Sequence, residues 1–180
     1  MAKEYVGDLY DKIVGEAGGF TNLLSKIPGL SGYMEKGRRR EADQLLRETL
    51  ASSLEASRLR LSGIHRELSR DIILAMDYAE ELGRADSRLM GLIGKIKDAP
   101  VGYAGFFDAV KVKEDDLARI YAFDESMLNH VDEIDASIDA LMNAVRDNGD
   151  INATLRRLNT ALQLANEDFA ARDSVIKGVQ

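Results

Sequence analysis

The chain of 180 residues lacks several residue types, and each absence excludes a class of structure or chemistry. It contains no cysteine, which excludes disulfides, cysteine nucleophiles, thiolate metal sites and iron–sulfur clusters. It contains no tryptophan and only two prolines, Pro28 and Pro100, so nothing between these positions forbids a helical backbone. Clusters of β-branched residues bounded by turns are also missing, and strands are therefore not expected.

Long apolar runs are missing too. A helix that spans a membrane needs about 18 or more consecutive apolar residues, and no such run occurs. The N-terminus also lacks the basic and apolar regions of a signal peptide. We therefore expect a cytoplasmic protein, with a peripheral position at the membrane as the alternative.

Charge is plentiful but unevenly distributed along the chain. Charged residues make up 31% and hydrophobic residues 45% of the sequence, which is typical of a helical protein in water. The net charge of −7 argues against nucleic acid as a partner. Residues Lys36–Arg70 hold nine basic and five acidic side chains, whereas Asp108–Asp150 hold twelve acidic and four basic ones. These two segments either lie side by side in the fold or join separate molecules head to tail.

The strongest pattern is a heptad seam in the first half of the chain. Fourteen positions over Leu50–Ile96 follow one another in steps of four and three, and twelve of them are apolar or alanine. This predicts one very long helix over residues 31–98, or two helices end to end on one axis. Gly83 is the favoured point for a bend, with Asp86 or Ser87 capping the helix that follows.

Two further seams follow in the second half. They predict helices over residues 113–148 and 150–177, after a glycine- and aromatic-rich reversal over residues 99–112. Gly149 is expected to end the first of these helices in a left-handed conformation, and Asp150 to cap the second. The predicted fold is all-α: an elongated coiled-coil-like bundle in which a C-terminal helical hairpin covers the very long helix, preceded by a short N-terminal amphipathic helix.

Charged residues within the seams give a check on register. If the hairpin folds about Asn148 and Gly149, position 124 lies opposite position 173, which predicts a salt bridge between Asp124 and Arg172. Asp71 is the remaining acid in a seam. By the same geometry its nearest partners are Arg156 or Arg157.

Residues 1–30 form an N-terminal amphipathic segment. Its apolar side chains recur at helical spacing and form a predicted interaction face. This face either docks on the bundle or a protein partner, or lies on a membrane surface. The residues of the face are Tyr5, Val6, Leu9, Tyr10, Ile13, Phe20, Leu23, Leu24 and Ile27.

A basic cluster follows this segment. Four basic side chains in five positions can contact phosphate or anionic lipid. The alternative is a solvated helix turn that pairs with the nearby acids Glu35, Glu41 and Asp43. The cluster consists of Lys36, Arg38, Arg39 and Arg40.

The sequence contains few candidates for catalytic or metal-binding residues. A ferritin-like di-iron site needs a glutamate three residues before each of two histidines, but Ser62 precedes His65 and Met127 precedes His130. His130 and Glu133 could hold one metal ion on a helix face, although such pairs are mostly surface pairs. We therefore predict no catalytic residue, no cofactor and no metal ligand.

Two segments resemble a known group of sequences. Residues Ile27–Lys36 with Arg38–Asp43, and residues Gly102–Asp108, resemble recurrent stretches in an uncharacterised family of bacterial helical proteins. In outline, a short amphipathic helix before a very long helix is also similar to phage-shock and ESCRT-III membrane-remodelling proteins. The first resemblance implies a helical fold and no particular activity, and the second implies a membrane surface as partner.

These observations together predict a non-enzymatic helical scaffold or adaptor. It acts through contacts with protein partners and self-associates as a homo-oligomer, because long seams need more cover than two shorter helices give. The alternative is a peripheral membrane-binding protein that uses the N-terminal helix and the basic cluster. An enzyme or metal-binding bundle comes third.

Overall fold

The computed structural model describes residues 39–99 and 114–177, together with Ile27. Helix is the main regular structure in these ranges and no strand occurs in them, so the predicted all-α class is confirmed. The helices are α1 (Arg39–Leu68), α2 (Ile72–Asp98), α3 (Glu114–Arg146) and α4 (Ile151–Lys177). The predicted N-terminal helix and the glycine- and aromatic-rich reversal lie outside the described residues.

The very long helix predicted over residues 31–98 is wrong. The chain reverses within residues 69–71, and α2 runs back antiparallel along α1. Arg58 on α1 bonds Asp86 on α2 at 2.7 Å, and the Arg47 guanidinium donates to the Ala99 carbonyl oxygen at 2.5 Å. Gly83 lies inside α2, which continues through this position without a break.

A cap that the heptad pattern conceals allows the chain to start a new helix here. The Asp71 side chain accepts hydrogen bonds from the amides of Ile73 and Leu74 at 2.8 and 3.3 Å, which satisfies the free donors at the start of α2. Asp71 is therefore an exposed helix cap, and the pairing predicted with Arg156 or Arg157 is wrong. Because Asp71 also occupies a seam position, the heptad phase continues across a point where the chain turns.

A second tight turn joins α3 to α4. Asn148, with φ of 54°, adopts the left-handed conformation that was predicted for Gly149. The Gly149 amide donates to the Ala144 carbonyl at 2.8 Å and closes the end of α3. Asp150 accepts from the Ala153 amide at 2.8 Å, which confirms its predicted role as a cap.

The two helical hairpins lie side by side with corresponding helices adjacent and parallel. α3 runs along α1, and α4 runs along α2. Asn159 donates to the Glu81 carbonyl and Asn166 to the Arg88 carbonyl, both at 3.1 Å, one heptad apart on each helix. Both tight turns therefore lie at one end of the bundle, called here the turn end. One long face of each hairpin points away from the other hairpin.

The core lies between the hairpins and follows the predicted seams. Eleven of the fourteen seam residues of the first hairpin are buried, and the three exceptions, Asp71, Ala75 and Tyr78, all lie near the turn. Buried seam residues from α3 and α4 complete a single apolar cluster. Ile27 joins this cluster with 2% of its surface exposed.

A basic side chain of α1 pairs with acidic side chains of α3, as the uneven charge distribution of the sequence allowed. Arg60 lies within 3.6 Å of Asp135 and 3.2 Å of Asp139, and Ser57 donates to Asp135. The basic and acidic segments therefore lie side by side within one molecule, which was the first of the two arrangements left open by the sequence.

Candidate interaction surface

Most of the residues predicted to mediate contacts lie outside the described ranges. This holds for Lys36, Arg38 and every member of the N-terminal face except Ile27. Ile27 is buried in the core and is not available to a partner. Arg39 and Arg40 form the first turn of α1, and their side chains are outside the described set.

A buried ionic cluster lies at the end of the bundle opposite the turn end. Asp43 accepts from Arg47 at 3.1 Å and from Arg172 at 3.2 Å, and all three side chains are buried. Arg47 also reaches the Ala99 carbonyl, so the cluster ties the start of α1 to the ends of α2 and α4. Asp124 is buried as well, and its predicted salt bridge with Arg172 stays a prediction. Such a cluster specifies register more than it adds stability.

The two histidines lie in different surroundings. His65 is exposed near the turn end, whereas the His130 ring nitrogen Nε2 lies 2.6 Å from the Asp168 carboxylate across α3 and α4. Across the described ranges, no three histidine, aspartate or glutamate side chains converge as a metal site would require. The helices within those ranges are also too polar for any of them to cross a membrane.

The prominent surface feature is apolar and belongs to the first hairpin. Five of the six large hydrophobic side chains that are exposed in the described ranges lie on α1 or α2. Leu59, Ile72 and Met76 expose 75%, 77% and 78% of their surface, and Met90 exposes 53%. Monomeric proteins rarely expose large contiguous apolar patches, so this group is the candidate interaction surface.

Ile72, Met76 and Met90 belong to a continuous uncharged face of α2. Its seven positions follow steps of 4, 3, 4, 4, 3 and 4 residues, which keeps them on one side of the helix. Six are exposed and the seventh, Gly94, is half-buried. At 1.5 Å per residue the face is roughly 33 Å long. We call it the outer stripe; it consists of Ile72, Met76, Ala79, Gly83, Ser87, Met90 and Gly94.

Helix α1 supplies one wall of a groove beside the outer stripe. Leu59 and Ser62 of α1 line it together with Met90 and Ile93 of α2. At its edge Arg58 bonds both oxygens of Asp86, at 2.7 and 3.0 Å. The hydrogen bond from the Arg58 guanidinium lowers the pKa of Asp86. The groove therefore has a mixed lining of apolar and polar side chains, with an ion pair at its edge.

This surface was not predicted from the sequence, although the spacing of its uncharged residues is visible there. The outer stripe repeats at helical spacing in the same way as the core seam of α2, on the other side of the helix. The missed signal was the absence of charge at seven helically spaced positions, within a helix that carries nine charged residues.

No model of a protein family, no curated protein and no solved structure matches the chain. Its function is therefore inferred from the geometry described above.

Proposed function

We propose that this protein is a helical scaffold or adaptor that binds proteins through the outer face of its first hairpin. One observation carries the proposal: the outer stripe is an extended, uncharged face of α2, and exposed Leu59 of α1 lies beside it. The function consists of holding partners together and requires no chemistry at the surface.

Energetics support a partner for this face. Covering apolar surface gains about 25 cal/mol per Å², so a partner that covers two or three of these side chains gains several kcal/mol before the costs of association. Ala79, Gly83 and Ser87 have small side chains at the middle of the stripe. A partner helix can therefore approach the backbone of α2 closely there.

The proposal is tested by photo-crosslinking in cells. A photoreactive amino acid is placed at Met76 or Met90, and at exposed Thr160 on α4 as the matched control. We expect a discrete crosslinked protein at the two stripe positions, none at Thr160, and loss of the product when Ser87→Arg is added. Equal products at Thr160, or no product at the stripe, would overturn the proposal.

A peripheral membrane protein is the second candidate, favoured by the exposed tip that Ile72, Ile73 and Met76 form beside the turn. Its other contacts would come from the N-terminal face and the basic cluster predicted from the sequence. Flotation with neutral and anionic vesicles tests it. We expect Met76→Lys to abolish flotation if the tip enters the bilayer, and a wild-type protein that never floats excludes this candidate.

A further inference from the structure

We propose that the partner of the outer stripe is a second copy of the same chain, packed with its own α2 antiparallel about a two-fold axis at Gly83. This inference rests on the proposed function and names its partner. It comes from the order of residues along the stripe, from the charges that flank it and from the positions of the exposed hydrophobic side chains.

The outer stripe reads nearly the same in both directions. The steps between its members are symmetric about Gly83, and side-chain size follows the same symmetry over the inner five positions. A two-fold interface requires this property, because each patch must complement itself. In the antiparallel pair, Gly83 meets Gly83, Ala79 meets Ser87, Met76 meets Met90 and Ile72 meets Gly94.

Gly83 suits the position where the two helices come closest. A Cβ placed on Gly83 would have no neighbour within 4 Å inside the monomer, so packing within the chain gives no reason for a glycine. Glycine inside a helix is costly relative to alanine. Close approach of a second backbone at the two-fold axis supplies a reason for it.

The charges beside the stripe are complementary across the same axis. Glu80 and Arg84 lie on one flank of the stripe, are exposed, and pair within the monomer at 2.7 Å. In an antiparallel two-fold pair, residues of one flank face the same flank of the other copy. Measured along the helix axis, Glu80 is then offset by only about 3 Å from the second copy's Arg84. Two symmetric ion pairs would thus flank the Gly83 crossing.

The arrangement also covers the exposed hydrophobic side chains. Leu59 lines the same groove as Met90, so it faces the end of the second copy's stripe that carries Ile72 and Met76. Four of the six exposed large hydrophobic side chains in the described ranges lose contact with water in one symmetric step.

The size of the interface sets the expected affinity. A helix face roughly 33 Å long and about 11 Å wide offers roughly 400 Å² per copy, to which Leu59 adds. This is below the roughly 800 Å² per partner of a standard interface. We therefore expect a reversible dimer with a Kd of about 1–100 µM.

The test exploits the symmetry of the charges. Glu80→Arg places arginine opposite arginine in a homodimer, and Arg84→Glu places glutamate opposite glutamate. We expect each variant alone to dimerise at least tenfold more weakly than wild type, by sedimentation velocity between about 1 and 200 µM. Mixing the two variants restores opposite charges at both sites. The ion pair between positions 80 and 84 of one helix stays broken in both variants. Recovery of the dimer in the mixture is therefore due to the pairs between the two copies.

Cysteine chemistry gives an independent readout because the chain has no cysteine of its own. Gly83→Cys weakens the reversible dimer as any Cβ at the axis does, but each encounter of two copies brings identical thiols within the distance that a disulfide needs. We expect it to form a covalent dimer of twice 19.9 kDa in mildly oxidising buffer. Thr160→Cys, on the exposed face of α4, serves as control and should stay monomeric.

The results separate this inference from the proposed function. Recovery in the mixture, or disulfide formation at Gly83→Cys alone, supports the two-fold dimer. A purified protein that stays monomeric to about 200 µM and shows equal oxidation at both cysteine positions overturns it. If the crosslinking in cells then still gives a stripe-specific product with another protein, the proposed function stands without the homodimer.

Discussion

Gly83 offers a sharp test because its replacement should have opposite effects on the monomer and on the dimer. Gly83 is exposed inside α2, and an added Cβ would meet no neighbour. Glycine disfavours a helix interior by about 0.8–1.0 kcal/mol relative to alanine. Gly83→Ala should therefore stabilise the monomer by about 1 kcal/mol.

This gain converts into a small shift of the melting temperature. Unfolding entropy of about 2.1 cal/mol/K per residue gives roughly 0.4 kcal/mol/K for 180 residues. A gain of about 1 kcal/mol then raises Tm by roughly 2–3 °C. Calorimetry at a concentration well below the dimer Kd measures it. Gly63→Ala in α1, where an added Cβ also has open space, is the matched control with the same expected rise.

The two variants should differ in self-association. At the two-fold axis, Gly83→Ala inserts one methyl group from each copy where the backbones are closest, and overpacking of this kind costs about 1–3 kcal/mol. We expect its dimer to be roughly tenfold weaker or more, while Gly63→Ala dimerises as wild type does. A fall in monomer Tm for Gly83→Ala would refute the open helix face. Unchanged dimerisation would refute the crossing at Gly83.

Three further outcomes test the bundle itself. Leu54→Ala, at a fully buried core position, should lower the free energy of unfolding by about 3–5 kcal/mol in urea titration, and a loss below about 1 kcal/mol would mean that the site is not packed. Asp71→Ala removes the cap of α2 and should cost about 1 kcal/mol, whereas Asp71→Asn should restore most of it. Because Arg58 lowers the pKa of Asp86 in the folded state, this pair stabilises the fold above the unfolded pKa of about 3.9, and the contribution disappears as pH falls through the folded value. Asp86→Asn should thus cost at most about 1 kcal/mol at pH 7, and the difference from wild type should shrink as pH falls below about 3.9; a difference that stays constant in acid would contradict the pairing.

The buried ionic cluster has a different role from the outer stripe. Asp43, Arg47 and Arg172 come from opposite ends of the sequence, and Arg172 reaches Asp43 across 129 residues. Their bonds hold α1 and α4 in one longitudinal register, which positions the first hairpin on the second. The outer stripe, in contrast, makes few contacts within the monomer and is available to a partner.

The sequence by itself determined which residues face the core. Helical periodicity is a local property, and the face with the largest number of big apolar side chains at this spacing gains most from burial. This is why eleven of fourteen seam positions in the first hairpin are buried. The cap at Asp150 was predictable for the same reason, because a cap depends only on neighbours in the chain.

Only the tertiary structure decided how the helices are arranged. Asp71 is both a seam position and a good helix cap, so the chain can either continue as one helix or turn back there. Which of the two occurs depends on which apolar faces pack against each other. The same holds for α2, which carries two uncharged faces, around Leu89 and around Gly83. Packing against α1 and α4 buried the face of Leu89 and left that of Gly83 to the solvent, because burial is settled by contacts between segments that are distant in the sequence.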